Sequence, residues 1–223
     1  MSYELLKSVI DLVQKFEEEN AQSLKYQNDV KGLQEWITDR ETNKPEPQWE
    51  GKELGRSAES VINTLIVHMN RYAKSYSKSV IHDSEFSTQE DFIYLINLKA
   101  FGAMSKMELI KKNIQEKPAG MQIINRLIAN GWVTQTTSEK DKRSKVISMT
   151  AAGEKILQEH MDKIRKATQI VTGNLNDTEK MELIRLLTAL NDFHLPLYQK
   201  NIPPELLLEE AMKTIEKKEE EKE

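Results

Sequence analysis

Apolar residues recur at three- and four-residue spacing along most of this chain, and one short stretch past its middle breaks the rhythm. Leu6, Val9, Ile10, Val13 and Phe16 share a stripe on a helix predicted over residues 3–20. Tyr26, Val30, Leu33, Trp36 and Ile37 carry a second helical pattern. Residues 42–51 hold Pro45 and Pro47 and read as a linker. From Ser57 to about Val80 a long helix is predicted through Ala58, Val61, Ile62, Leu65, Met69, Tyr72 and Tyr76. Ser87 or Thr88, followed by Glu90 and Asp91, caps the next helix, which ends near Gly102. Ser105 caps a shorter one. A third begins around Glu116 with Pro118 in its first turn and stops at Asn130–Gly131, a C-terminal glycine signal.

The period then changes. Residues 132–137 and 145–150 are β-prone, and the polar, charged segment SEKDKRS between them reads as a hairpin tip. Helical spacing returns from Thr150 to near Gly173. It resumes from Asp177, where Leu183, Leu186, Leu187 and Leu190 form a stripe, and a last helix after Pro203–Pro204 fades into a charged tail.

Composition narrows the function classes. The chain has 223 residues, 38% hydrophobic and 30% charged, with few Gly and Pro, which suits an exposed, helix-rich protein. It has no cysteine, which excludes disulfides, thiolate catalysis and cysteine-based zinc sites. No stretch approaches a membrane span and the N-terminus lacks a cleavage signal, so no membrane partner and a cytoplasmic location are expected. The net charge is −4, yet residues 99–150 hold ten basic side chains against four acidic ones. A phosphate backbone responds to that local surplus more than to the whole-molecule sum, because more distant charges are screened. His68, His82, His160 and His194 are scattered without zinc-site spacing, so no metal is assigned. No phosphate-cradling glycine loop, nucleophile–base pair or carboxylate cluster marks an enzyme, and no cofactor is expected.

Two helices joined by a short turn and followed at once by a basic hairpin form a winged helix-turn-helix. A helix fits the major groove of duplex DNA while a basic loop reaches the minor groove. Residues 88–190 resemble the MarR family of bacterial winged-helix regulators. The resemblance rests on LIANGWV (Leu127–Val133), on Asp141-Lys142-Arg143-Ser144 as the wing motif Asp-x-Arg-Ser/Thr, and on SMTAAGEKIL (Ser148–Leu157). In that last motif Met149 stands where the family usually has Leu.

The resemblance implies a mainly α fold, with a winged helix-turn-helix core, a two-stranded β-hairpin wing and flanking dimerisation helices; the extra N-terminal helical arm and the C-terminal tail, read from the apolar spacing and charge, are additions to it. The corresponding segments are an arm (1–43), a linker (44–56), a dimerisation helix (57–87), the winged core (88–150), C-terminal dimerisation helices (151–202) and a charged tail (203–223). It also implies a homodimer that binds double-stranded DNA, a repressor in family terms, with the recognition helix at 116–130. Arg143 is placed at the wing tip in the minor groove with Lys140, Lys142 and Lys145 beside it, and Asp141 shapes the loop by pairing with Arg126 or Arg143. Lys117, Gln122, Asn125 and Arg126 are the candidate readers, Arg126 being equally a structural salt-bridge partner. Gly120 is expected to face a base, allowing close approach. Ser105 and Lys106 are placed at the phosphate backbone. A small-molecule effector is a further expected partner, with Tyr72, Tyr76 and Tyr94 as its candidate pocket. The rival reading is a winged protein-interaction module that has lost DNA binding, motivated by overall acidity and a recognition helix thin in charged readers.

Overall fold

Ser105 and Thr150, read from the sequence at helix starts, sit where helices begin, and each hydroxyl accepts from a free backbone N–H there. The computed structural model describes residues 3–42, 47–137 and 145–220, and the chain divides into two compact units, residues 1–63 and 64–223.

The first unit is a helical hairpin of α1 (Tyr3–Ser23) and α2 (Val30–Thr42). Its small core is Phe16 against Trp36, ring centroids 5.6 Å apart. Asn20, buried, fixes the turn by accepting from the Tyr26 N–H at 3.0 Å and donating to the Tyr26 carbonyl at 2.9 Å. Glu19 accepts from the Trp36 indole and from Arg40, each at 3.0 Å. Farther on, the Trp49 indole donates to the Arg56 carbonyl at 2.8 Å, bracing a 3₁₀ turn over Lys52–Leu54. The helix α3 (Ala58–Ile81) starts in this unit and continues into the second.

The second unit carries α4 (Gln89–Phe101), β1 (Met104–Ser105), α5 (Lys106–Lys112), α6 (Lys117–Ala129), β2 (Val133–Thr137), β3 (Lys145–Met149), α7 (Ala151–Val171), α8 (Asp177–Gln199) and α9 (Pro204–Glu220). Three helices, a hairpin and long flanking helices follow in the predicted order. The sheet differs in one respect: it has three strands, ordered β1–β3–β2, all antiparallel. Val133 lies opposite Met149 and Gln135 opposite Ile147, while Met104 takes the other edge of Ile147. A two-residue strand has no room for an alternation pattern, which is why the sequence pointed only to the hairpin. Leu95 and Leu98 from α4, Leu109 and Ile110 from α5, Ile124 and Leu127 from α6, Ile147 from β3 and Leu157 from α7 make one continuous core.

Two glycines hold this core together by letting backbones approach. Gly120, expected to face DNA, is instead buried, and a Cβ there would stand 2.5 Å from Ile110 Cγ1. It sits on the inner side of α6 because α5 and α6 pack too closely for a side chain. Gly153 is tighter still: its Cβ would meet the Trp132 carbonyl oxygen at 2.2 Å. Beside it Thr150 caps α7 by accepting from the Gly153 N–H at 3.1 Å and donates its hydroxyl to the Gly131 carbonyl at 2.7 Å. Thr150 N–H also bonds the Trp132 carbonyl at 2.9 Å. The Thr-x-x-Gly sequence thus ties the exit of the hairpin to its entry.

The long helices α3 and α8 behave differently. Each runs more than twenty residues, yet α3 buries only Val80 and α8 only Leu197. Ile62, Leu65 and Met69 on α3, and Ile184, Leu187 and Leu190 on α8, stand exposed.

Replacing Gly153 with Ala is expected to destabilise the fold by about 1–3 kcal/mol, because the opposing atom is backbone and cannot rotate away. Urea unfolding followed by far-ultraviolet circular dichroism measures it.

Candidate nucleic-acid interface

The helix α6 is amphipathic. Ile123, Ile124 and Leu127 turn inward, while Lys117, Gln122 and Asn125 are exposed on the other side. Pro118 in the first turn starts the helix without wasting a donor. The exposed set comprises one cation and two side chains that both donate and accept, which is the chemistry that reads base edges and phosphates.

Arg126 does not belong to that set. Its Nε donates to Asp91 Oδ1 at 2.9 Å, and its Nη2 donates to the same oxygen and to Thr88 Oγ1 at 2.9 Å. Asp91 Oδ2 accepts from the Ser87 N–H at 2.7 Å and from the Thr88 N–H at 3.0 Å. The Asp91 carboxylate is 0% exposed, so every one of its acceptor positions is filled from within the protein. Of the two roles read for Arg126, the structure places it in a salt bridge, and its partner among the described residues is Asp91; Asp141 lies outside them. The sequence signal for Asp91 was its place in a capping box; nothing local pointed to an arginine 35 residues away.

Preceding α6, α5 opens with a reciprocal cap. Ser105 Oγ accepts from the Glu108 N–H at 3.1 Å, and Glu108 accepts from the Ser105 N–H at 2.6 Å. That backbone N–H, then the Ser105 hydroxyl, holds the Glu108 carboxyl below the usual range. Ser105 is therefore a helix cap and a β1 residue, with its hydroxyl already engaged. Lys106 is half-buried beside it, and Lys111 and Lys112 are exposed on the same helix, Lys112 with its ammonium 3.6 Å from the Phe101 ring centre. Lys99 pairs with Glu154 at 3.2 Å, which removes it from the free positive charge. Lys145 is exposed at the start of β3, opposite Thr137. The wing-tip residues Lys140, Asp141, Lys142 and Arg143 lie outside the described residues.

The turn between α5 and α6 is braced from a distance. Tyr198, near the end of α8, donates its hydroxyl to the Gln115 carbonyl at 2.8 Å. Gln115 immediately precedes Glu116, the N-cap of α6, so the bare helix α8 is fastened to the start of the exposed one. Close by, Tyr94 is fully buried, its hydroxyl lacking a hydrogen-bond partner among the described residues. Burial, then the neighbouring Tyr198 and Glu90, push its phenol up to about 12. Neither tyrosine contact was legible in the sequence.

A cavity of about 730 Å³ opens between the end of α4, α5 and α8, with Phe101, Met104, Lys111, Ile114 and Leu195 among its lining residues. Tyr72, Tyr76 and Tyr94 do not line it: Tyr94 is in the core of α4, and Tyr72 and Tyr76 stand exposed on α3. His160, to which the sequence assigned no role, packs its ring 5.4 Å from Phe86 and approaches Glu85 at 3.3 Å, and no metal-binding group of three or more such side chains occurs among the described residues.

A family model described as a winged helix DNA-binding domain matches residues 86–153. The HTH-type transcriptional regulator YwoH of Bacillus subtilis is 29% identical over 126 residues, 54% of this chain and 90% of that one. The HTH-type transcriptional repressor NicR of Pseudomonas putida is 27% identical over 105 residues, 47% of this chain and 66% of the relative. Among solved structures, BpsR of Bordetella bronchiseptica superposes with a TM-score of 0.54 at 22% identity, covering 58% of this chain and 98% of that one. A MarR variant from E. coli complexed with operator DNA gives 0.51 at 21% identity, covering 64% and 99%. Residues 86–153 carry a winged helix DNA-binding domain, in a fold shared with MarR. More than a third of the chain falls outside each of these MarR-type superpositions.

Within this MarR-type core, Arg126→Met leaves Asp91 buried without its cation. The expected loss is about 3–5 kcal/mol of stability, measured by chemical unfolding. Arg126→Lys is expected to recover only part of it, since an ammonium cannot reproduce the forked contact to Asp91 and Thr88.

Proposed function

We propose that this chain is a sequence-specific, double-stranded DNA-binding transcriptional regulator that acts as a homodimer and represses. The observation that carries the reading is α6: an exposed Lys117, Gln122 and Asn125 on a helix whose other side is locked to α4 through Asp91 and Arg126. A rigid helix with a polar outer face is what major-groove reading needs. Similarity to NicR, a transcriptional repressor, and to the E. coli MarR variant solved with operator DNA supports the same assignment.

The exposed apolar stripes of α3 and α8 support the homodimer. Two helices this long with almost nothing buried cost solvation that a second copy removes. A twofold partner sets two α6 helices one helical turn of DNA apart, so the operator is a pseudo-palindrome. In this reading Arg143, with Lys140, Lys142 and Lys145, reaches the minor groove beside each half-site, while Lys106 and Lys111 meet phosphates. No catalytic role is assigned, and the protein works in the cytoplasm.

Effector control is part of the proposal. BpsR is described with 6-hydroxynicotinic acid regulating its DNA binding, and an organohalide-sensing regulator was solved with 2,4-dichlorophenol, with a TM-score of 0.58 at 18% identity, covering 70% of this chain and 92% of that one. Here the cavity between α5 and α8 is the place where a small molecule alters the Tyr198–Gln115 brace, and with it the start of α6.

Fluorescence anisotropy against duplexes drawn from the DNA flanking its own gene tests the assignment. Gln122→Ala is expected to cost about 1–3 kcal/mol on the preferred sequence and to relax preference at one position per half-site. Lys117→Ala and Arg143→Ala should weaken binding and flatten the log–log salt dependence by about one unit per lost phosphate contact. A dimer that binds no duplex even at low salt contradicts the proposal and favours the protein-interaction module.

A further inference from the structure

The face of α1 exceeds what the hairpin uses. Written as heptads, α1 places Leu6 and Val13 at a, Val9 and Phe16 at d, Tyr3 and Ile10 at e, and Leu5 and Leu12 at g. Every b, c and f position from residue 4 to 15 is polar: Glu4, Lys7, Ser8, Asp11, Gln14 and Lys15. An apolar face that takes in a, d, e and g is too wide for one neighbouring helix, whose seam needs only a and d.

The covering helix is also too short. At 1.5 Å per residue α1 spans roughly 31 Å and α2 roughly 20 Å. Burial follows that difference: Phe16 and Asn20 are buried and Val13 is half-buried, while the apolar residues from Tyr3 to Leu12 are 40% to 89% exposed. The bare stretch continues the Phe16–Trp36 seam in the same register. Its exposed apolar side chains amount to roughly 600 Å² per copy, so a paired contact removes on the order of 1,200 Å², the lower bound of a stable specific interface.

We propose that this face is a second self-association site, at which the α1–α2 hairpins of two copies pair as a four-helix arrangement. The polar side of α1 selects that occupant. Its charges between residues 4 and 15 are Glu4, Lys7, Asp11 and Lys15, which cancel. A neutral, mixed-sign margin causes no repulsion between identical helices, whereas a helix that lies on a lipid surface carries a basic margin. The inference rests on the proposed homodimer only in that a dimer also tethers two hairpins and strengthens a pairing that its own buried area already sustains.

Sedimentation velocity of the full chain tests this with two surface variants used singly and together. Leu6→Glu with Ile10→Glu charges the bare part of α1; Leu187→Glu with Leu190→Glu charges α8. All four side chains are exposed in the chain, and circular dichroism checks that helicity is kept. With α8 charged, the chains are expected to remain associated through α1, and adding the α1 substitutions should weaken that association at least tenfold. The proposal is overturned if charging α1 leaves the association constant unchanged in both backgrounds, or if the α8 variant is already fully monomeric. It is overturned equally if the chain co-sediments with phosphatidylcholine–phosphatidylglycerol vesicles and the α1 variant does not, since the face then belongs to lipid. Operator binding by the wild-type chain is read separately, so loss of this inference and loss of the DNA-binding reading are told apart.

Discussion

A carboxylate with no exposed surface cannot stay charged unless the protein supplies its partners, and Asp91 is such a group. Two backbone N–H groups at the start of α4 and the guanidinium of Arg126 on α6 fill its acceptor positions. The pairing is useful less for net stability, which a well-packed apolar pair could match, than for the geometry it permits. Only one placement of α6 relative to α4 satisfies the carboxylate. With Gly120 allowing α5 to close on α6, and Tyr198 reaching the turn before it, the exposed helix is held from several sides. Lys117, Gln122 and Asn125 are therefore presented on a fixed surface.

Around that rigid core the chain leaves unfinished surfaces. The winged unit closes its own core, and Thr150 with Gly153 fastens the base of the hairpin to α7. The helices α3 and α8 close almost nothing within one copy. Two kinds of residue are separated by this contrast. Those that hold α6 in place pack internally, and those on α3 and α8 stand exposed, the surface that the proposed homodimer would cover. The brace from Tyr198 to Gln115 joins the two, since it links a helix with a bare apolar stripe to the residue before the cap of α6.

Much of this was legible in the sequence, for local reasons. Ser105 with Glu108, Thr88 with Asp91, and Pro118 after Glu116 state where helices begin, and the structure has α4, α5 and α6 starting there. The change from helical to alternating spacing after Gly131 located β2 and β3. Contacts that span long stretches of chain were not legible. Arg126 looked as much like a base reader as a structural cation because its partner is 35 residues upstream. Gly120 was read as facing outward because spacing alone cannot tell a groove-facing glycine from one that admits Ile110. The tyrosines fared similarly: Tyr94 is aromatic, helical and buried, and the sequence does not say that it sits in a core instead of a pocket.

The central claim is that two copies of α6 read one duplex. Selection of bound duplexes from a random pool by the wild-type chain, followed by hydroxyl-radical footprinting of the winners, addresses it directly. The account predicts an inverted repeat whose half-site centres lie about one helical turn apart, with protection on one face of the duplex. Enrichment of no sequence, or of a single unrepeated site protected over one half-turn, would contradict it.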